Sequence, residues 1–453
     1  MEINTAIVAG TGKSGISATK LLVNHGVKVY LFDENKDRDI EAIKEKTGDS
    51  ELVKIELGEL GEDALSSSQL MVISPGIPVD APFTDVVRNA GIPIWSEIEL
   101  AYHYGKGKIA AITGTNGKTT TTALVGEIVK AHNAKTIVVG NIGIPYTELC
   151  DTTDDDSDTV AEISSFQLET VIDFHPNVSA ILNLTPDHLN RHYTFENYGN
   201  VKLSITKNQT MDDVTVLNYD DEHTRAMGEK AKDHCHVVYF SRLEKPAGGV
   251  YVEDGDIILE DGDKKINVLA IKDLKLMGAH NVENVLAAVG ISYYMGVPVD
   301  VIRDVATSFK AVAHRIEYVD TIDGVAYYND SKGTNPDAAI KGIQAMVAPT
   351  FLIGGGYDKG SEYDEWIEAF DGKVKWLVLI GQTAQKIADC AKRHGFNSII
   401  FEENLQDAVA YCHENAVDGD AVLLSPACAS WGQFDNYEQR GDMFKEYVRS
   451  YKE

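Results

Sequence analysis

The residues with the clearest chemical capacity sit in two glycine-rich loops and in a series of acids, histidines and lysines downstream. Gly114-Thr115-Asn116-Gly117-Lys118-Thr119-Thr120 follows a strand-like run at residues 108–113 and opens a helix-like stretch with Leu124, Ile128 and Ala131 on one face. Glycine lets such a loop wrap an anion, Lys118 sets a point charge against the β- and γ-phosphates, and a Thr119 or Thr120 hydroxyl is a ligand for Mg²⁺. A strict phosphate loop also has glycine where this chain has Ile112, so the match is to the second half of the pattern only. The earlier loop, Gly10-Thr11-Gly12-Lys13-Ser14-Gly15, joins Ala6-Ile7-Val8-Ala9 to a helix-like segment at residues 16–24, and Asp33 closes the next apolar run. In that context backbone N–H groups at a helix start meet a diphosphate and the acid meets a ribose or base. A tight turn that needs glycine and binds nothing has the same signature.

Further along, several side chains have both a chemical and an ordinary reading. Glu162 lies in the apolar stretch 159–167, read as one strand; it is either a buried acid that requires a counter-ion or an acid on an exposed edge. Asp187, His188 and His192 have spacing that allows a zinc site, since i and i+4 histidines share a helix face. Lys202, by helix propensity, is a solvated surface lysine, and Asn281 is a helix cap ahead of the apolar helix 285–291. Cys428 has no base near it in sequence, and the five cysteines (Cys150, Cys235, Cys390, Cys412 and Cys428) contain no C-x-x-C, so neither a disulfide framework nor a zinc ribbon is expected.

The elements that must position these groups follow an α/β rhythm. Short β-branched runs at residues 6–9, 108–113, 178–184, 351–353, 376–380 and 421–424 alternate with amphipathic stretches, which predicts parallel sheets flanked by helices. The Gly- and Asp-rich section 248–262 predicts a small antiparallel addition, and the acidic run 154–158 a solvated loop. At 453 residues and 43% apolar composition, roughly three domains are expected, with breaks near 95–99 and 310–314: residues 1–97, 98–311 and 312–453. Lys and Arg number 41 against 70 Asp and Glu, and the net charge of −29 argues against nucleic acid or an anionic membrane surface as partner. The first residues lack a signal-peptide pattern and no apolar run reaches the ~18 residues of a membrane span, so a cytoplasmic protein is expected.

Taken in order, these motifs resemble the Mur ligase family, ATP-dependent amide-bond-forming enzymes of peptidoglycan precursor synthesis, from Ile7 to Gly441. The resemblance implies a Rossmann-like N-terminal domain for a UDP-substrate, a central P-loop ATPase-like domain and a Rossmann-like C-terminal domain for the amino acid. It implies that a substrate carboxylate attacks the ATP γ-phosphate and that the resulting acyl phosphate is captured by an amine. Lys118, His188 and Lys202 are the implied catalytic residues, and residues 114–120, Asn281, Asn284, Arg315 and Asp330 the implied ATP contacts. Thr119, Glu162, His188 and Lys202 are the implied Mg²⁺ ligands, Lys202 as a carbamate formed with CO₂. Lys13, Ser14, Asp33, Gly76, Asn141, Ser164 and Gln167 are implied for the UDP-sugar. Lys332, Thr334, Lys359, Ser430 and Tyr437 are implied for the incoming amino acid.

Asn329-Asp330-Ser331-Lys332-Gly333-Thr334-Asn335 is the form that implies the branch joining D-glutamate to UDP-N-acetylmuramoyl-L-alanine, acting as a monomer. The chain departs from the pattern after Asp33, where Glu34-Asn35 replaces a Thr-Arg pair that touches uracil. Three other functions compete on sequence: a family member of another step, an NAD-dependent oxidoreductase carrying an ATPase, and a non-catalytic muropeptide-binding protein.

Overall fold

The computed structural model describes residues 3–452 except 142, 277 and 311, together with all side chains in that set apart from those of residues 190 and 337. It contains three sheets. The first holds β1 (Thr5–Ala9), β2 (Lys28–Asp33), β3 (Val53–Leu57), β4 (Leu70–Ile73) and β5 (Ile94–Ser96), all parallel, in the order β3-β2-β1-β4-β5. The second holds β6 (Lys108–Thr113), β7 (Ile137–Gly140), β8 (Asp158–Glu162), β9 (Val178–Ile181), β10 (Val214–Asn218), β11 (His236–Ser241), β12 (Gly249–Glu253), β13 (Asp256–Asp261) and β14 (Lys264–Ala270). Its order is β14-β13-β12-β11-β10-β9-β6-β8-β7, parallel up to β12, with β13 and β14 added antiparallel as the turn-rich sequence predicts. The third holds β15 (Glu317–Ile322), β16 (Val325–Asn329), β17 (Thr350–Gly354), β18 (Val374–Leu379), β19 (Ile399–Phe401) and β20 (Ala421–Leu424), in the order β15-β16-β20-β17-β18-β19. Only β15 is antiparallel to its neighbour.

The chain divides into two compact units: residues 1–273 with 283–307, holding the first two sheets, and residues 274–282 with 308–453, holding the third. Strands buried on both faces explain the continuous apolar runs. β1, β6, β9, β17 and β20 are almost wholly buried, as parallel strands covered by helices must be.

Two local expectations are corrected. The stretch 159–167 is not one strand: β8 stops at Glu162, and Ser164 caps a short helix, Ser165–Leu168, through a reciprocal capping box with Gln167. The run at 178–184 leaves the sheet after Ile181, where Leu182 and Asn183 turn toward the loop after β6. All five cysteines are free and buried.

In the first glycine loop, packing and not turn geometry sets the strictest demand. A Cβ on Gly15 would lie 1.8 Å from the Gly10 carbonyl oxygen, because helix Lys13–Asn24 starts directly against the end of β1. A Cβ on Gly12 would meet no atom within 4 Å. Gly15→Ala is therefore expected to cost about 3 kcal/mol and Gly12→Ala under about 1 kcal/mol, read as the shift in urea midpoint. Equal losses in the two variants would contradict the packing argument.

Candidate active site

Parallel strands deliver their following loops to one edge, and in the second sheet three neighbours, β9, β6 and β8, bring the chemistry together. The loop after β6 is the phosphate-loop sequence, the segment after β8 follows Glu162, and the loop after β9 carries Asp187 and His188. The β6 loop is locked to its neighbour: Asn116 N–H donates to Asn183 Oδ1 at 2.8 Å, and Asn183 Nδ2 donates to the Asn116 carbonyl at 3.1 Å. The Thr115 hydroxyl lies 3.1 Å from both the Thr185 carbonyl and the Tyr198 hydroxyl. Gly117 takes φ 83° and caps helix Lys118–His132, and a Cβ there would strike Asn284 Oδ1 at 2.2 Å. Asn284 is thus set directly over the loop, where Thr121 also reaches it at 3.4 Å.

Lys118 and Lys202 converge on one acceptor. Lys118 Nζ donates to the Gly114 carbonyl at 2.9 Å and to that of Thr115 at 2.8 Å, and Lys202 Nζ donates to the same Gly114 carbonyl at 2.9 Å. Lys202 is only 1% exposed, so the surface reading that propensity alone favours is wrong. Its ammonium is held well below the usual lysine range, first by burial and then by the charge on Lys118, against the weaker pull of Asp187 and Glu162.

Beside it, Glu162 is 2% exposed and accepts a hydrogen bond from Asn141 Nδ2 at 3.1 Å. The edge reading of Glu162 is likewise excluded. His188 sits at φ 52°, at the start of helix Leu189–His192, with its imidazole pKa lowered by burial, opposed by Asp187 and reinforced by Lys118 and Lys202. His192 turns elsewhere, to Ser165 Oγ at 3.0 Å and toward Glu169 at 3.5 Å, and burial brings its pKa down to about 4.

The same unit gathers the residues expected around a UDP-sugar. Lys13 Nζ donates to the Gly143 carbonyl, while Asp33 accepts from the Thr11 backbone at 3.1 Å, from its hydroxyl at 2.6 Å and from Arg38 Nε at 3.2 Å. Arg38 is a residue that motif spacing does not reveal. It supplies, five positions on, a guanidinium to the acid whose Thr-Arg neighbours are absent. Arg191 is equally hidden in the sequence: it pairs with Glu169 at 2.5 Å and donates to the Ile77 carbonyl at 2.8 Å, so it holds the loop that carries Gly76. Ser14 is half-buried beside Lys13, and the buried Gln167 amide is turned to protein groups, Ser164 on its oxygen and Glu97 on its nitrogen.

In the second unit the loops after β16, β20 and β17 are neighbours for the same topological reason. Arg440, 1% exposed, joins two of them: its guanidinium donates to the Ser331 carbonyl at 2.8 Å, to Ser331 Oγ at 2.9 Å and to the Cys428 carbonyl at 3.3 Å. Ser331 Oγ in turn donates to the Tyr437 carbonyl at 2.8 Å. Lys332 Nζ stands 5.5 Å from the Tyr437 ring centre and Lys359 Nζ 5.0 Å from that of Trp431. Thr334 closes the β16 loop by a backbone hydrogen bond to Lys332, and Ser430 is buried at the turn after Ala429, which pairs with Tyr357. Asn281 lines a cavity of about 640 Å³ with Lys275, Lys310, Glu317 and Tyr318. Arg315 keeps a buried Nε with no hydrogen-bond partner among the described residues.

Comparison with known proteins now decides the family. The Mur ligase MurD-like N-terminal domain matches residues 4–96, the Mur ligase middle domain residues 112–292, and the Mur ligase glutamate ligase domain residues 314–428. The chain belongs to the Mur ligase family. It is 56% identical over 450 residues to the UDP-N-acetylmuramoylalanine--D-glutamate ligase of Lachnospira eligens, an alignment that spans 99% of each chain. Among solved structures, the UDP-N-acetylmuramate-alanine ligase MurC of Thermotoga maritima aligns with TM-score 0.61 at 19% identity over 99% of this chain and 100% of that one. The MurF ligase of Thermotoga maritima, solved in complex with ADP, aligns with TM-score 0.59 at 16% identity over 98% and 95%. As a Mur ligase this chain is an ATP-dependent, amide-bond-forming enzyme. No helix among the described residues is long and apolar enough to cross a membrane.

Asp330 gives this Mur ligase a measurable pH signature. Its carboxyl is buried between Ser425 Oγ (2.7 Å) and the Ile316 N–H (3.3 Å), and desolvation pushes its pKa up to about 7 against those hydrogen bonds and Arg315. A folded-state pKa above the unfolded one favours folding fully below pH ~3.8, and that contribution is lost as pH rises through 7. The Tm of the wild type minus that of Asp330→Asn is therefore expected to fall steadily from pH 4.5 to 8. A flat or rising difference would contradict a neutral buried carboxyl.

Proposed function

We propose that this Mur ligase adds D-glutamate to UDP-N-acetylmuramoyl-L-alanine in the cytoplasm, as a monomer, in the assembly of peptidoglycan precursors. The observation that carries the substrate assignment is the near-complete alignment, at 56% identity, with a relative named for that reaction. The convergence of Lys118 and Lys202 on the Gly114 carbonyl, next to buried Glu162, supports a site built for a γ-phosphate and an attacking carboxylate.

In the proposed reaction the alanyl carboxylate attacks the γ-phosphorus, ADP leaves, and the amine of D-glutamate then displaces phosphate from the acyl phosphate. Residues 114–120 cradle the phosphates, with Lys118 neutralising charge that develops on the transferred group. Asn281 and Asn284 are assigned to the adenine, Arg315 to phosphate and Asp330 to the ribose; the orphaned Nε of Arg315 suits an anion. Lys13, Ser14, Asp33, Gly76 and Asn141 are assigned to the UDP moiety, and Ser164, with Gln167 behind it, to the sugar. Lys332, Thr334, Lys359, Ser430 and Tyr437 are assigned to D-glutamate, whose two carboxylates suit two lysines. The division of labour follows residues 1–97, 98–311 and 312–453.

The donor set fits Mg²⁺. Thr119 offers a hydroxyl, Glu162 a buried carboxylate and His188 an imidazole whose pKa burial lowers; the Lys202 pKa is lowered too, chiefly by burial, which favours the unprotonated amine that combines with CO₂ to give a carbamate and a proton. The carbamate turns a nitrogen donor into an anionic oxygen donor, which a hard cation prefers. When bound, Mg²⁺ supplies neutralisation of polyphosphate charge.

Purified protein with ATP, UDP-N-acetylmuramoyl-L-alanine and D-glutamate is expected to release ADP and phosphate only when all three are present. Release with L-alanine and UDP-N-acetylmuramate instead would sink the assignment. Lys118→Ala should lower kcat by about 100-fold or more. Lys202→Ala should lose most activity and regain part of it in millimolar formate or acetate, and ¹³C-bicarbonate should give a carbamate resonance in the wild type alone. Full activity of untreated Lys202→Ala would exclude the carbamate.

A further inference from the structure

Glu97 is a fully buried acid that the proposed reaction does not use. It begins helix Glu97–Tyr104, is 1% exposed, and one of its oxygens, Oε1, accepts from Thr147 N–H at 2.7 Å and lies 2.9 Å from the Thr147 hydroxyl, which also lies 2.8 Å from Ser17 Oγ. Its other oxygen, Oε2, faces Gln167 Nε2 at 3.5 Å. The far end of that same amide, Gln167 Oε1, accepts from Ser164 N–H at 3.0 Å and from Ser164 Oγ at 2.9 Å.

An amide is polar end to end, and its two ends differ only in being donor or acceptor. Ser164 N–H requires the oxygen end. Burial raises the Glu97 pKa, opposed by the hydrogen bonds it accepts from Thr147, Gln167 and the Tyr146 backbone; as the acceptor of those bonds it draws the NH₂ end of Gln167 and leaves the oxygen facing Ser164. A neutral amide at position 97 would not do so. With its oxygen held by Thr147 N–H, its NH₂ would face the NH₂ of Gln167, and turning Gln167 over would set NH₂ against Ser164 N–H. Either way a buried donor is left unpaired, which costs far more than the weak 3.5 Å contact itself suggests.

We propose that Glu97 is a positioning residue for the UDP-sugar: it fixes the orientation of the Gln167 amide, and through it the Ser164 capping box at the start of helix Ser165–Leu168. The inference rests on the assignment of Ser164 to the sugar. Glu97 touches no substrate in this scheme. Its Thr147 and Ser17 partners extend the network to helices Tyr146–Leu149 and Lys13–Asn24, the latter starting in the first glycine loop.

The test exploits a double substitution, Glu97→Gln with Gln167→Glu, that restores the donor–acceptor pairing among Thr147, positions 97 and 167, and Ser164. The amide then placed at position 97 keeps its oxygen on Thr147 and donates its NH₂ to the carboxylate then placed at position 167. The other oxygen of that carboxylate accepts from Ser164, and total charge and size are unchanged. Glu97→Gln alone is expected to raise KM for UDP-N-acetylmuramoyl-L-alanine about tenfold, as one unpaired buried donor implies, with KM for ATP and D-glutamate within about twofold of wild type. The swap should recover most of that loss. A Glu97→Gln protein with wild-type KM values overturns the proposal, as does a swap that folds to the wild-type Tm without recovery. If Glu97→Gln does not fold, a folded and active swap supports the proposal, and a swap that also fails to fold overturns it. Absence of wild-type turnover with this substrate set would instead count against the assigned reaction.

Discussion

The carbonyl oxygen of Gly114 accepts from two lysines, and much of the central site depends on that sharing. Burial first, and then the like charge of Lys118 on the same acceptor, hold the pKa of the more deeply buried Lys202 well below the usual lysine range. A lysine so lowered gives up its proton more readily and is open to chemistry that an ammonium is not. The arrangement is possible because the loop after β6 turns back on itself at Gly117 and because Lys202 arrives from helix Phe195–Leu203, packed with Tyr198 under the loop.

That sharing in turn relies on sheet order. β6 lies between β9 and β8, so residues far apart in the chain, 114–120, 162 and 187–188, leave the sheet at the same edge. The third sheet repeats the principle with β16, β20 and β17, and here the ordering device is Arg440, which ties two loops by their carbonyls. In both cases the groups assigned to ligands are held by others with no assigned ligand role. Arg440 and Glu97 are buried and Arg191 half-buried; all three are multiply bonded and invisible to motif reading.

The acidity of the chain also acquires a local meaning. A net charge of −29 argues against large polyanionic partners, yet the proposed ligands are small anions and meet lysines and arginines placed one by one. Much of the acid is exposed, as at Asp155 and Asp156, while Glu162, Glu97 and Asp330 are buried and each is supported by specific hydrogen bonds.

The α/β class, the two glycine loops, the antiparallel addition at β13 and β14 and the family were legible in the sequence, because periodicity, glycine spacing and motif order are properties of neighbouring residues. The burial of Lys202 was not legible from propensity, since a single lysine on a short helix carries no signal of what the helix packs against. The end of β8 was misplaced for a related reason: a capping box and a strand are both written in small polar and apolar residues at 162–168. Arg191, Arg440 and the Glu97–Gln167 amide relay were decided by tertiary structure alone. Their partners lie up to 116 residues away, at Pro75 for Arg191, and a hydrogen bond across that separation leaves no trace in local composition.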